Sequence, residues 1–327
     1  MSAMAPRVSV VIPTCGRPHL LNRCLDALER QWLDPSAYEI VVVDDGRSDA
    51  TREQVEQRAQ RALGGPMLRY LRPDGRGPAA ARNRGWRAAR GDIIAFTDDD
   101  TVPDPDWLRQ GLMAMTPGRV ALRGCVKVPE PAVVTDHARM TQGLEQAEFV
   151  TANCFVRRTA LRQVGGFDER FRRAWREDSD LHFALLSRFG DVPRAENAVV
   201  LHPVREAPWG ISMRQQANVM FDALLFKKHP RLYRDKVGRL RAPPSYYAIV
   251  FGALGALAAA GLGQPLWAAA AAALALTLVL RLAWRRLRGT SRHPAHVAEM
   301  LVTSCAIPFL ALYWRIVGAL KFRVAFF

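Results

Sequence analysis

The chain has 327 residues, 49% of them hydrophobic, and a formal net charge of +15, with arginine supplying nearly all the cationic side chains. That charge calls for an anionic partner: a phosphorylated substrate, a membrane surface or nucleic acid. Nucleic acid is disfavoured, because no zinc-ligand spacing, RNA-binding aromatic strand or long basic helix accompanies the charge.

Residues 8–12 read as a buried strand ending at Pro13, and Pro18 opens a helix whose Leu21, Leu25 and Leu28 share a face. Residues 39–43 form a second buried strand running into Asp44-Asp45-Gly46, and a helix starts at Asp49-Ala50-Thr51. A short strand near Met67–Leu71 leads through a Gly/Pro/Arg loop to a helix near 79–89, and residues 92–97 form the next strand. Strands alternating with helices predict a mostly parallel α/β sheet flanked by helices. Ligands of such sheets bind beyond the carboxyl ends of the strands. Further on, 119–128 and 149–156 are predicted strands, 159–164 a short helix, 177–189 an amphipathic helix, 198–201 a strand ending at His202, and 212–228 an amphipathic helix with a basic end.

The remainder is apolar. Runs near 246–262 and 266–284 each approach bilayer-spanning length, have aromatic residues at their ends and flank the turn Gly263-Gln264-Pro265. Together they predict a hairpin, with Arg285, Arg286, Arg288 and Arg292 as a positive-inside signal. A third run, near 299–319, carries Pro308 and either spans or lies in the interface. Met1–Arg7 shows no apolar leader, and the five cysteines include no CxxC pair, so the N-terminal part is expected in a reducing cytoplasm. The expected organisation is a catalytic domain at 1–210, a basic juxtamembrane linker at 211–244 and a transmembrane region at 245–327.

Asp98, Asp99 and Asp100 follow the apolar run at 93–97. Two such carboxylates about 5 Å apart repel by roughly 3 kcal/mol at an effective dielectric near 20. A hard divalent cation would offset that, although a solvated acidic turn ahead of a helix capped by Asp104 also accounts for the triplet. Asp44 and Asp45 suit either an ordinary Asp-Gly turn or acceptance of hydrogen bonds from a base or ribose. Arg76, Arg82, Arg84 and Arg87 form either a solvated basic face or a clamp for a diphosphate or base. Glu177, Asp178 and Asp180 complement a helix dipole, which also keeps a general base ionised. His202, at a strand end, is a candidate for contact with metal or phosphate. Gly75-Arg76-Gly77 lacks the third glycine of a dinucleotide site, and neither a Walker A sequence nor a nucleophile elbow is present.

In order, Val8-Ser9-Val10-Val11-Ile12-Pro13-Thr14, Val43-Asp44-Asp45-Gly46, Ala81-Arg82-Asn83-Arg84-Gly85, Phe96-Thr97-Asp98-Asp99-Asp100, Gly165-Gly166-Phe167-Asp168-Glu169 and Glu177-Asp178-Ser179-Asp180-Leu181 resemble the motif series of family 2 glycosyltransferases with the GT-A fold. The resemblance covers about residues 7–205. It implies a nucleotide-diphosphate sugar donor, Mg2+ or Mn2+, and inversion at the anomeric carbon. By it, Pro13, Thr14, Arg17, Asp44 and Asp45 line the nucleoside pocket, and Arg82 faces the base or diphosphate. Asp98 and Asp100 are the metal ligands, and Asp178 is the catalytic base; Asp99, Glu177, Asp180 and His202 are secondary candidates. Cys15 and Gly16 depart from the family's usual residues after Thr14, and Arg47 stands where Ser usually follows Gly46. The Gln-x-x-Arg-Trp motif of processive synthases is missing from the sequence, which favours addition of one or a few sugars.

The expectation is a multi-pass enzyme of the inner (plasma) membrane, its catalytic domain cytoplasmic, acting on a lipid-linked or cell-envelope saccharide. A polyprenyl-phosphate sugar synthase is the first rival, and a non-catalytic protein that binds sugar nucleotides or anionic lipids is the second.

Overall fold

The computed structural model describes residues 5–61, 64–238 and 240–326. Of the stretch Met1–Arg7 read as leaderless, residues 1–4 lie outside that set. The chain divides into two compact units, Met1–Glu130 with Gln142–Val204, and Pro131–Thr141 with Arg205–Phe327.

The first unit runs β1 (Val8–Thr14), α1 (Pro18–Glu29), β2 (Tyr38–Asp44), α2 (Asp49–Arg61), β3 (Met67–Leu71), α3 (Pro78–Ala88), β4 (Ile93–Phe96), β5 (Val102–Pro103), α4 (Trp107–Ala114) and β6 (Ala121–Lys127). A short helix, α5 (Asp136–Gln142), bridges the division between the units. The first unit then resumes with β7 (Cys154–Arg157), α6 (Arg158–Val164), α7 (Glu177–Phe189) and β8 (Arg194–Leu201). The eight strands form one sheet in the order β3-β2-β1-β4-β7-β6-β8-β5. Pairing is parallel among β3, β2, β1 and β4 and between β6 and β8. It is antiparallel for β4 with β7, β6 with β7 and β5 with β8, so the sheet is mixed.

β1 and β2 are buried along their whole length, as continuous Val/Ile runs require when both sheet faces are covered. Alternation divides them. Val10, Ile12, Ile40 and Val42 pack with Leu21, Leu25 and Leu28 of α1 on one face. Val11, Val41 and Val43 pack with α3 and Leu181 and Leu185 of α7 on the other. Full burial of each such aliphatic side chain stabilises the fold by about 1.5–3 kcal/mol. Gly85 permits the close seat of α3 on β1: a Cβ there would stand 2.3 Å from Val11 Cγ1.

The structure corrects several predicted elements. The strand expected over 149–156 is confined to Cys154–Arg157, because the chain turns first, with the Asn153 amide donating to the Val150 carbonyl. The helix expected to be capped by Asp104 begins at Trp107, after a turn in which Asp104 accepts from the Asp106 amide at 2.9 Å. The helix expected over 212–228 is broken into α8 (Ile211–Gln215), a 3-10 turn (Gln216–Val219) and α9 (Met220–Lys228).

The second unit continues with α10 (Pro230–Lys236), α11 (Pro244–Gly261), α12 (Pro265–Leu287) and α13 (Pro294–Phe322). The last three are long and apolar enough to cross a membrane. The third apolar run is thus part of a longer helix, with Pro308 inside it. Segment 131–141 is tied to this unit through Asp136, which accepts from Arg286 Nη2 at 2.8 Å. Arg286 also donates to Thr303, Ser304 and Ser212.

Candidate active site

β1, β2 and β4 are parallel, so Thr14, Asp44 and the Asp98–Asp100 segment emerge at one edge of the sheet. β7 reverses direction, and β6 and β8 reverse it again, so β8 also ends at that edge. His202, the next residue, is thereby brought to Asp98 and Asp100. One ligand atom from each of the three lies within 4.8 Å of the other two. His202 Nε2 is 3.7 Å from Asp100 Oδ1, while the buried Nδ1 has no hydrogen-bond partner.

Asp99 points elsewhere. It is fully buried, accepts from Thr14 Oγ1 at 2.6 Å and pairs with Arg17 Nη2 at 2.7 Å. Burial pushes its carboxyl up to about 6, against the pull of Arg17 and the Thr14 hydrogen bond. Arg17, given to the nucleotide by resemblance, is therefore occupied in part by Asp99, and one of its nitrogens lies 4.0 Å from Asp100.

Arg82, on α3, is buried and bridges two elements. Nη2 donates to Asp98 Oδ1 at 2.7 Å, and Nη1 donates to Glu177 Oε1 at 3.1 Å. This differs from the implied contact with base or diphosphate: the guanidinium is engaged by carboxylates, and only its buried Nε is unpartnered. Burial works against the charge of Arg82, but Asp98 and Glu177 outweigh it and raise its pKa. Burial likewise opposes ionisation of Asp98, but Arg82, His202 and Arg17 hold that carboxyl below the usual range.

Glu177 and Asp178 open α7. Burial, then the charge of Asp178, pushes Glu177 from an ordinary 4.5 up to about 8 despite its contact with Arg82. One guanidinium shared between Asp98 and Glu177 cannot neutralise both, which is why the ion pair does not keep Glu177 acidic. Its second oxygen is buried without a partner, as suits a carboxyl that holds a proton. Asp178 is half-buried, accepts from the Ser179 amide at 2.6 Å and has its pKa raised by burial, so at the start of α7 burial outweighs the helix dipole that was expected to keep these carboxyls ionised. Arg176, just before α7, holds φ +74° and ψ −8°, a left-handed conformation. Asp180 is buried one turn into the helix and is not part of the Asp98–Asp100–His202 group.

In the β2 loop the two aspartates diverge. Asp44 is fully buried and accepts from the Gly46 amide at 2.9 Å, the Ser48 amide at 2.7 Å and the Tyr70 hydroxyl at 3.0 Å. It organises its own turn, the ordinary role the sequence also allowed. Asp45 accepts from the Gly77 amide at 2.9 Å, and its other oxygen is buried and unpartnered. Pro13 is buried in β1, in register with Val43.

Sequence reasoning missed Asn83 and Tyr70. Asn83 accepts from the Phe167 amide and Trp86 Nε1 and donates to the Phe167 carbonyl and Glu169, so it pins the Gly165–Glu169 turn that precedes α7. Its only signal was its place beside Arg82; nothing local marked Tyr70.

Two oxygens and an imidazole at one sheet edge, with one carboxylate held ionised, fit a hard or borderline divalent cation. Beside them stands a helix whose first turn presents a carboxylate with enhanced proton affinity. Together these groups can hold a charged phosphate donor and accept a proton.

The family model described as "Glycosyl transferase family 2" matches residues 9–165, and that described as "Glycosyl transferase family group 2" matches residues 93–317. Glycosyltransferase AglE of Haloferax volcanii is 27% identical over 231 residues, 67% of this chain and 73% of that protein. The validoxylamine A glucosyltransferase of Streptomyces hygroscopicus subsp. limoneus is 29% identical over 277 residues, 69% of this chain and 58% of that protein. The solved structure of mannosyltransferase PcManGT from Pyrobaculum calidifontis in complex with GDP-Man and Mn2+ has a TM-score of 0.56 at 22% identity, covering 98% of this chain and 88% of that one. This last likeness shows the GT-A type of fold.

Proposed function

This chain belongs to glycosyl transferase family group 2 and is a glycosyltransferase; from that premise we propose that it performs an inverting, metal-dependent transfer from a nucleotide-sugar donor to a hydroxyl acceptor at the cytoplasmic face of a membrane. The observation that carries this reading is the convergence of Asp98, Asp100 and His202 at one sheet edge, with Asp98 linked through Arg82 to the helix bearing Asp178.

Asp98 and Asp100, with His202 beside them, would hold Mg2+ or Mn2+. Such an ion, when bound, supplies positive charge where the departing diphosphate gains negative charge. Asp45 would accept from the nucleoside, a role its unpartnered buried oxygen supports, and Thr14, Arg17 and Asp44 would shape that pocket through Asp99 and the β2 loop. Asp178 takes the proton of the acceptor hydroxyl. The acceptor oxygen bonds to the anomeric carbon as the bond to the diphosphate oxygen breaks, which inverts that centre. Raised proton affinity in Asp178 supports the role, because a base must bind the proton it removes.

The apolar helices of the second unit and the arginines at 285–292 support membrane attachment with the catalytic unit on the cytoplasmic side. That location favours a lipid-linked or cell-envelope saccharide as acceptor. The test is a panel of nucleotide sugars offered to the detergent-solubilised full-length chain, with and without Mn2+. Release of nucleoside diphosphate from one donor, dependent on the ion and lost in Asp100→Asn, is expected. Full activity in EDTA would overturn the metal assignment.

A further inference from the structure

The second unit contains three apolar helices, but the protein treats them differently. Of the apolar window of α11, 6% is buried within the protein, and of α12, 17%; for α13 the share is 39%. The hairpin of α11 and α12 exposes large apolar side chains such as Phe251, Leu257, Leu274 and Leu280, whereas one face of α13 is covered.

The covering runs along the length of α13. Near its start, Glu299 accepts from the Gly210 amide at 2.7 Å, and Thr303 and Ser304 accept from Arg286, which also donates to Ser212. Further along, Arg315 donates to the Leu240 carbonyl at 2.8 Å. Gly318 lies so close to residue 220 that a Cβ would stand 2.7 Å from the Met220 carbonyl oxygen. At the end, Lys227 donates to the Phe322 carbonyl at 2.7 Å. From Glu299 to Phe322 is about 35 Å of helix, longer than a bilayer core is thick. Over that distance one partner, the juxtamembrane segment 210–240, stays alongside. This segment carries Arg214, Asp222, Lys227 and Lys228 and includes a broken helix. If α13 crossed a membrane, these residues would be carried into it, and charges at that depth are costly.

The opposite face of α13 is apolar and exposed. Val302, Phe309, Tyr313, Ile316 and Leu320 are all exposed. At 100° per residue they fall within roughly 40° of one line, on the side away from Ile307, Ala311 and Phe322, which are buried. Lys321 and Arg323, both exposed, provide positive charge at the C-terminal end of this stripe. The helix also packs against both α11 and α12, the hairpin that exposes Phe251, Leu257, Leu274 and Leu280.

We infer that α13 does not cross the membrane: it lies along the surface, with the Val302–Leu320 stripe in the boundary between headgroups and acyl chains and its other face holding the juxtamembrane helices. The bilayer is the occupant of the stripe, because the stripe belongs to a helix packed against the exposed apolar hairpin and the exposed Lys321 and Arg323 at its end match anionic headgroups. The α11–α12 hairpin is then the inserted part of the described chain, and the C-terminal residues return to the side bearing Arg285–Arg292. This inference rests on the proposed membrane attachment.

The test uses full-length chain in native membranes, with Cys15, Cys125 and Cys305 replaced by Ser and one new thiol per variant: Gln264→Cys, Arg292→Cys or Ala325→Cys. A membrane-impermeant maleimide is applied to spheroplasts and to inverted vesicles. Arg292→Cys and Ala325→Cys are expected to label at least tenfold faster from the same side, and Gln264→Cys from the other. Labelling of Ala325→Cys from the Gln264 side would overturn the inference and leave membrane attachment standing. Release of the chain by alkaline carbonate, or labelling of all three positions from one side, would remove the attachment and the inference together. C-terminal fluorescent-protein and alkaline-phosphatase fusions to the unsubstituted chain give an independent reading, with fluorescence and no phosphatase activity expected.

Discussion

Arg82 is the side chain on which the two halves of the proposed site depend, so Arg82→Gln tests the arrangement directly. Arg82 is 3% exposed and sits between Asp98 and Glu177. Removing one partner of a buried ion pair typically costs about 3–5 kcal/mol, because the other charge is left buried. Glu177 escapes most of that penalty by keeping its proton, since its carboxyl is already pushed up to about 8. Asp98 cannot escape so easily, but its side chain is 25% exposed and water screens part of the loss. The expected destabilisation is therefore about 2–3 kcal/mol at pH 7, or roughly 3–5 °C in the thermal midpoint of a chain this size. The assay is thermal unfolding of the detergent-solubilised full-length chain in EDTA, repeated with Mn2+. The ion should raise the midpoint more in Arg82→Gln than in the wild type, because it replaces a lost counter-charge at Asp98. A midpoint in EDTA within 1 °C of wild type, or equal increments from Mn2+ in both proteins, would refute the reasoning.

Asp178→Asn should lower turnover by about 10²–10⁴ while leaving donor affinity, measured by equilibrium binding, within about twofold. A much smaller loss of turnover would favour a lipid phosphate as acceptor, which has no hydroxyl proton to remove. At Arg176 the left-handed backbone predicts that Arg176→Gly is more stable than Arg176→Ala by about 1 kcal/mol, read from unfolding midpoints; equal midpoints would deny the strain. Glu177 gives a pH signature. Its pKa is higher folded than unfolded, so between 4.5 and about 8 the native state binds the extra proton and stability falls as pH rises. Glu177→Gln should flatten that slope in urea midpoints taken at pH 5, 6.5 and 8, and an unchanged slope would place the titration elsewhere.

Much of the first unit was legible because its signals are local. Uninterrupted Val/Ile runs marked β1 and β2 as strands buried on both faces, and Leu21, Leu25 and Leu28 marked the inner face of α1. The non-local features were not legible. His202 reaches Asp98 and Asp100 only because β8 pairs parallel with β6 beyond an antiparallel β7, a fact about strand order that no residue near His202 records. Arg82 meets Glu177 across a sequence separation of 95, so its basic run could not reveal that carboxylates would engage it. Asp44-Asp45-Gly46 admitted a turn or a ligand contact, and the structure divides them: Asp44 binds its own loop while Asp45 keeps an open oxygen. For α13 the hydropathy was readable, but the covering of one face by residues far earlier in the chain was not.

The Asp98–Asp100 triplet shows how a local pattern and a long-range fold combine. The chain turns directly after Asp98, with the Thr101 amide donating to the Asp98 carbonyl, and this turn sends Asp98 and Asp100 toward His202 and Asp99 toward Thr14 and Arg17. Repulsion of roughly 3 kcal/mol between each close pair would make the segment untenable without counter-charges. The fold sets Arg82 beside Asp98, Arg17 beside Asp99, and His202 with the more distant Arg17 beside Asp100. Arg82 comes from α3, Arg17 from the turn between β1 and α1, and His202 from the end of β8 at the far side of β6. The triplet is thus compensated only in part by the polypeptide itself, since Arg82 is shared with Glu177 and Arg17 serves two aspartates. What remains for a cation is the weakly matched pair of Asp100 and His202, 3.7 Å apart, beside the Asp98 carboxylate that Arg82 keeps ionised.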